Sequence, residues 1–195
     1  MHAVTPTGLH ARAAEPEALL AARVAAGDAE AFRLLARGLA GPGLALATRV
    51  LGDRALAEDA VQEALARLWR EARRYDPARG SFGAWWRRVL MNCALDGRRR
   101  LRPVVPLEAA AHVADPAPGP EANAANGALA RRLEQALAAL PPRQRAALAM
   151  FHGEGHSMAE IAAVLETTEK AVEGLLGRAR ADLRNRLGDL ADETG

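Results

Sequence analysis

Apolar positions recur at three- and four-residue intervals along most of the chain, the period of helices buried on one side. The clearest case runs from Ser81 to Arg102. There Phe82, Trp85, Trp86, Val89, Leu90 and Cys93 share one face, Arg88, Asn92 and Arg99 fall on another, and Arg98, Arg99, Arg100 and Arg102 crowd the end. Ahead of it the pattern predicts a short helix over 15–26, ended at Gly27. A second helix follows from Asp28, with Phe32, Leu35 and Leu39 as its stripe, a kink or short break at Gly41-Pro42-Gly43, and renewed helix up to Leu51 and Gly52. Asp53 to Arg74 carries Leu56, Ala60, Val61, Ala64, Leu65 and Leu68 on one side and Asp59, Gln62 and Glu63 on another. Tyr75 to Gly80 reads as a turn-rich loop, after which Ser81 caps the aromatic helix.

The period vanishes from Pro103 to about Asn126, a stretch holding Pro103, Pro106, Pro116, Pro118 and Pro120. A segment this long without period is read as a linker between two domains. Leu129, Leu133, Ala136, Leu137 and Leu140 then mark a helix that Pro141-Pro142 ends, and Arg143 to Phe151 forms the next. His152 to His156 reads as a turn. Ser157 and Glu160 form a capping box for a short helix, Glu166-Thr167 turns, and Thr168 caps a longer helix with Val172, Leu175, Leu176, Ala179, Leu183 and Leu187 inward. A short capped helix, a turn and a longer helix have the layout of a helix-turn-helix, a layout that any hairpin in a bundle shares.

Composition supports an all-α chain. Half of the 195 residues are hydrophobic and 4% aromatic, and alanine, leucine and arginine dominate over β-branched types. The fold class expected is two small helical domains joined by a flexible acidic linker: 1–14 disordered, 15–102 and 127–190 the two domains, 103–126 between them. No continuous apolar run suggests membrane insertion, the N-terminus lacks a signal-peptide layout, and a single cysteine suits a cytoplasmic protein. Net charge is only +2, yet residues 67–102 hold eleven arginines against three acids, while 103–128 hold three acids and no Lys or Arg. A basic block followed by an acidic one suggests a surface for a polyanion.

Chemistry has few candidates. His152 and His156 have a metal-like spacing, but they flank glycines in a turn and lack a third ligand nearby. No nucleophile–base pair, paired carboxylates or glycine-rich phosphate loop stands out, so neither catalysis nor a cofactor is expected. Trp85 and Trp86 could stack on unpaired bases or sit in the core. The face of Asp59, Gln62 and Glu63 could be an ordinary solvated one.

Taken together, the residues resemble a bacterial RNA polymerase sigma factor of the extracytoplasmic-function (ECF) group. LGDRALAEDAVQEALARLWREARRYDPARGSFGAWWRRVLMNCALDGRRR is similar to region 2 of that family, with its D-x-x-Q-E face, F-x-x-W start and N-x-x-x-D-x-x-R-R finish. LEQALAALPPRQRAALAMFHGEGHSMAEIAAVLETTEKAVEGLLGRARADLR is similar to region 4, with L-P-x-x-x-R, S-x-x-E-I-A and a closing R-A-R. The resemblance implies a non-catalytic subunit that gives polymerase core its promoter specificity in a stress or environmental response. Asp59, Gln62 and Glu63 would dock on the β′ clamp helices. Arg88, Asn92, Arg98, Arg99 and Arg100 would follow the −10 element, with 75–81 near the melted strand. Region 4 would meet the β flap around Leu140, Leu148 and Phe151. It would meet the −35 element through Thr168, Lys170, Glu173, Gly174, Arg178 and Arg180. The acidic linker would run towards the RNA exit path, and an anti-sigma factor would cover these faces. Glu166 stands where the family often has glycine, and Glu173, Gly174 and Gly177 where it often has arginine, serine or bulkier residues.

Two other readings fit parts of the chain. A helix-turn-helix regulator acting without polymerase core leaves Asp59 to Glu63 unexplained. An all-helical interaction protein leaves Arg98 to Arg100 unexplained.

Overall fold

A computed structural model describes residues 11–100 and 122–188, with side chains described for 17–97 and 129–188. Among the described residues there is no strand; eight α-helices, two 3₁₀ turns and a π-helical turn make up the architecture. The expected linker is outside the described residues from 103 to 121, as are 1–10 of the expected disordered N-terminus. Helix is already present from Ala11 and again from Ala122.

α1 (Ala11–Ala25) packs on α2 (Ala29–Leu51). Asp28 starts α2 by accepting from the amides of Glu30 and Ala31 at 2.9 and 3.0 Å, which satisfies two of the orphan donors of a first turn. The expected break at Gly41-Pro42-Gly43 does not occur, since α2 runs through Pro42 uninterrupted. Pro42 faces solvent and leaves the Gly38 carbonyl without its helical donor, a defect of about 3 kcal/mol. Leu35, Leu39, Leu46, Val50 and Leu51 are buried along the other side, at about 1.5–3 kcal/mol each, and hold both halves on one axis. By length and composition α2 does pass for a membrane span, with mean hydropathy 1.2, contrary to the sequence expectation. Its apolar face packs on α1, α3 and α4 as a core helix does.

α3 (Arg54–Glu71) is capped by Asp53 and buries Ala57, Ala60, Val61, Ala64 and Leu68. 3₁₀ turns at Ala72–Arg74 and Pro77–Arg79 lead to α4 (Phe82–Arg100), whose Ser81 cap accepts from the Ala84 amide at 3.2 Å. On α4 the buried set is Phe82, Trp86, Leu90, Met91, Cys93 and Ala94, whereas Trp85 and Val89 are only partly covered. Tyr75 stands edge-on to Phe82 and beside Trp85, which ties the loop to the helix.

The C-terminal unit comprises α5 (Ala122–Ala139), α6 (Pro142–Leu148), α7 (Met158–Val164) and α8 (Glu169–Leu187). α6 widens into a π-helical turn at Ala149–Gly153, so the helix expected up to Phe151 loses its regular register there. α8 packs against α5, α6 and α7 and buries Val172, Leu176 and Ala179. Of the expected α5 stripe, Ala136 and Leu140 are buried, while Leu129 and Leu133 are exposed.

The two units are not separate beads. One hydrophobic cluster runs from Val50, Leu90 and Met91 into Ala146, Met150, Ile161 and Leu176. α2 meets α6 and the π turn, and α4 meets α6 and α7. Arg145 of α6 is buried at this junction, against the end of α2. Gly52 ends α2 in a left-handed conformation (φ 69°), and a Cβ there would lie 2.8 Å from Arg145 Nη1. Glycine is required at 52 both for the turn and for the guanidinium beside it.

Candidate nucleic-acid and partner interfaces

Asp59, Gln62 and Glu63 lie on the exposed side of α3, as their spacing predicts. Asp59 and Glu63, with Asp96 of α4, rim a hollow of about 200 Å³ floored by Leu56, Ala60 and Cys93. Glu63 accepts from Arg67 Nε at 3.0 Å and Arg70 Nη2 at 3.2 Å. The Arg67 bond is the chief reason its carboxyl titrates below its ordinary range. Burial pushes the Cys93 thiol up to about 11, so it behaves as a small apolar group. An acidic rim over an apolar floor suits side chains with an apolar stem and a cationic head.

On α4, Arg88 is exposed and Asn92 half-buried. Arg98, Arg99 and Arg100 form the last turn, and their side chains lie outside the described residues. Arg88 Nε donates to Glu166 Oε1 at 2.6 Å, and its Nη2 pairs with the same oxygen. Trp86 is core, while Trp85 keeps an accessible edge beside Tyr75.

The helix-turn-helix is built as its capping residues dictate. Ser157 Oγ accepts from the Glu160 amide at 3.2 Å, and Glu160 Oε2 accepts from the Ser157 amide at 2.8 Å. Thr168 Oγ1 accepts from the Ala171 amide at 3.2 Å and opens α8. Between them Thr167 N–H donates to the Ala162 carbonyl at 2.9 Å, which places Glu166 at the left-handed position that follows a helix. Its φ is +50°, and it is the sole positive-φ non-glycine among the described residues. Glycine occupies such a position freely, whereas an L side chain pays about 1 kcal/mol or more.

Thr168, Lys170, Glu173 and Arg178 line the exposed side of α8, with Gly174 half-buried among them. Arg178 folds back over Gly174, where a Cβ would lie 3.3 Å from its Nη1. Arg180 instead sits above the Phe151 ring, 5.9 Å from its centroid, with Nη2 3.5 Å from His152 Nε2. The two histidines have different neighbours: His156 Nε2 is 3.1 Å from Glu154 Oε2, and its Nδ1 is 3.7 Å from Glu160 Oε2. Leu140 is buried, and Leu148 and Phe151 pack against the core. Among the described residues of this unit, the exposed large apolar ones are Leu129 and Leu133.

Several residues in these surfaces carry no sequence signal. Trp69 stands edge-on to Phe32 on α2 and is 42% exposed. Arg49 and Arg87 come near Glu154, and Arg145 of α6 comes against Gly52 at the end of α2, only because the two units pack together. No local pattern marks such a meeting.

Residues 37–103 match the family model for Sigma-70 region 2, and residues 130–183 match that for Sigma-70, region 4. Over 180 residues the chain is 36% identical to RNA polymerase sigma factor CnrH of Cupriavidus metallidurans, covering 87% of this chain and 93% of that one. It is 37% identical over 153 residues to ECF RNA polymerase sigma factor SigE of Mycolicibacterium smegmatis, covering 76% and 58% respectively. It is 35% identical over 170 residues to the probable RNA polymerase sigma factor RfaY of Xanthomonas campestris, covering 84% and 42%. The chain thus spans about half the length of the latter two relatives and nearly all of CnrH. The solved structure of CnrH in complex with the cytosolic domain of CnrY aligns with a TM-score of 0.63 at 32% identity, covering 90% of this chain and 99% of that one. Sigma factor RpoE of Bartonella quintana, solved with the anti-sigma factor NepR, shares the fold at a TM-score of 0.54 and 21% identity, covering 75% and 91%.

Proposed function

The chain belongs to the ECF group of bacterial RNA polymerase sigma factors, and on that premise we propose that it binds polymerase core, selects promoters and helps open them. It does no chemistry of its own. The observation that carries this reading is the pairing, in one chain, of an acidic helix face, an arginine-lined helix and a doubly capped helix-turn-helix.

Each surface suits its role physically. The rim of Asp59, Glu63 and Asp96 over an apolar floor, with Gln62 exposed on the same side of α3, fits a basic, amphipathic partner such as the β′ clamp helices. Opening DNA demands phosphate contacts and capture of an unpaired base on one surface. Arg88, Asn92, Arg98, Arg99 and Arg100 supply the first, and the accessible edge of Trp85 with Tyr75 supplies the second. α8 addresses the −35 element with Thr168, Lys170, Glu173, Gly174, Arg178 and Arg180. Few of these can read base edges, so recognition there leans on phosphates and DNA shape. With Leu140 buried, the β flap docks instead on Leu129 and Leu133 of α5. An anti-sigma factor, as NepR is to the relative RpoE, covers these faces in the cytoplasm until a signal releases it.

The test is promoter melting by chain plus core, read by permanganate reactivity of unpaired thymines. Replacing Arg98, Arg99 and Arg100 with alanine should reduce melting and flatten its salt dependence, since each lost phosphate contact removes close to one unit from the slope. Normal melting by that variant at every salt concentration refutes the assignment.

A further inference from the structure

Glu173 is a carboxylate that the fold does not account for. It stands on the exposed side of α8, past the first turn. Among the described residues it has no hydrogen-bond or ion-pair partner, although Lys170 is one turn away. Glu169, in the first turn, is favoured by the helix dipole. Glu173 lies four residues on, beyond most of that benefit and beside a like charge.

The surface around it is kept clear. Gly174 borders Glu173 and Gly177 follows one turn later, and glycine weakens a helix interior relative to alanine. A Cβ on Gly177 would meet open space, and one on Gly174 would meet only the guanidinium of Arg178, which lies back over it. Packing against other elements therefore requires neither glycine. In a helix-turn-helix the second helix turns its N-terminal residues to base edges in the major groove. The hydrogen-bond donors there are the N4 amino group of cytosine and the N6 amino group of adenine. Adenine sets its N7 acceptor beside N6, where it repels a carboxylate, and cytosine carries no such acceptor.

We infer that Glu173 reads a base: it selects cytosine in the upstream promoter element by accepting a hydrogen bond from the N4 amino group, and Gly174 and Gly177 let α8 seat deeply enough for the carboxylate to reach. The inference rests on the reading above that α8 meets the −35 element, and it adds a base contact to the phosphate and shape recognition described there. Selection works by penalty. The carboxylate is repelled by phosphates whatever the sequence, so it weakens binding to every duplex and is compensated only where cytosine stands.

The chain with core polymerase is allowed to select from duplexes built on a start site recovered by run-off transcription, with the upstream element randomised, and the bound fraction is sequenced. The native chain should enrich cytosine about five- to tenfold at one position. Glu173→Ala should lose that enrichment alone, keep the preferences at other positions, and bind the whole pool at least as tightly, because a repulsive charge is gone. Glu173→Arg should move the preference at that position to guanine, whose O6 and N7 both accept. Thermal melts of the three proteins should coincide, since the side chain is exposed and holds nothing. Identical base preferences in the native chain and Glu173→Ala overturn the inference and leave the −35 reading standing, as does a uniform loss of binding by Glu173→Ala. No preference at any upstream position, with binding also unaffected by Lys170→Ala and Arg178→Ala, overturns both.

Discussion

Reversing Asp59 and Glu63 together, to Asp59→Arg and Glu63→Arg, separates docking from folding. Both side chains are exposed on α3. Glu63 holds Arg67 and Arg70 at 3.0 and 3.2 Å, with 48% of its side chain and 57% of that of Arg70 still in solvent. Pairs of this kind contribute about 0.2–1 kcal/mol each. Losing two of them, with new repulsion beside Arg67 and Arg70, costs about 1–2 kcal/mol. For a chain of this length, 1 kcal/mol corresponds to about 2–4 °C of melting temperature, so the variant stays folded under assay conditions. The partner surface responds differently. Close charge pairs across interfaces couple by about 1.5 kcal/mol or more, so two inversions should cost at least ~3 kcal/mol, a loss of about 100-fold in affinity. Fluorescence anisotropy of the labelled chain titrated with core polymerase, beside a thermal melt, reads both quantities. A folded variant that binds core within about twofold of the native chain removes the docking assignment. A melting temperature lower by more than about 10 °C would instead make the face structural.

Three further outcomes follow from the structure. Ser157→Ala breaks the capping box of α7 and should cost about 1 kcal/mol, lowering the melting temperature by about 2–4 °C; no shift would mean that the cap is idle. Glu154 and Glu160 titrate below their ordinary 4.5 in the folded chain, so their stabilisation is complete above about 4.5 and lost as pH falls through the lower folded values. Melting temperature should therefore drop on acidification below about pH 4.5, and Glu154→Gln should soften that drop; identical profiles would contradict it. Cys93, with its thiol raised from 9.0 to about 11, should be alkylated at least ~100-fold more slowly in the native chain than in urea, and equal rates would show the helix face to be open.

Much of the fold is legible because it is local. The stripe of α4, the Asp28 and Ser81 caps, the Ser157–Glu160 box and the Thr168 cap all rest on residues within four positions of one another. The acidic face of α3 is legible for the same reason. What escapes the sequence depends on distant partners. Pro42 reads as a break, yet packing along the opposite face carries α2 through it. Leu129 reads as core, but it lies on the open side of α5. The burial of Arg145 beside Gly52, and the reach of Glu166 to Arg88, exist only once the units meet. Glu166 does leave a trace in the sequence, as a glutamate at a turn position that the family often fills with glycine. Its meaning requires the backbone angle and the ion pair together.

Run-off transcription from sheared native genomic DNA tests the central claim most directly. Purified chain with bacterial core polymerase should yield transcripts of defined start, absent with core alone, whose upstream DNA shares two elements near −10 and −35. Duplex binding by the chain with no start site gained over core alone would contradict it.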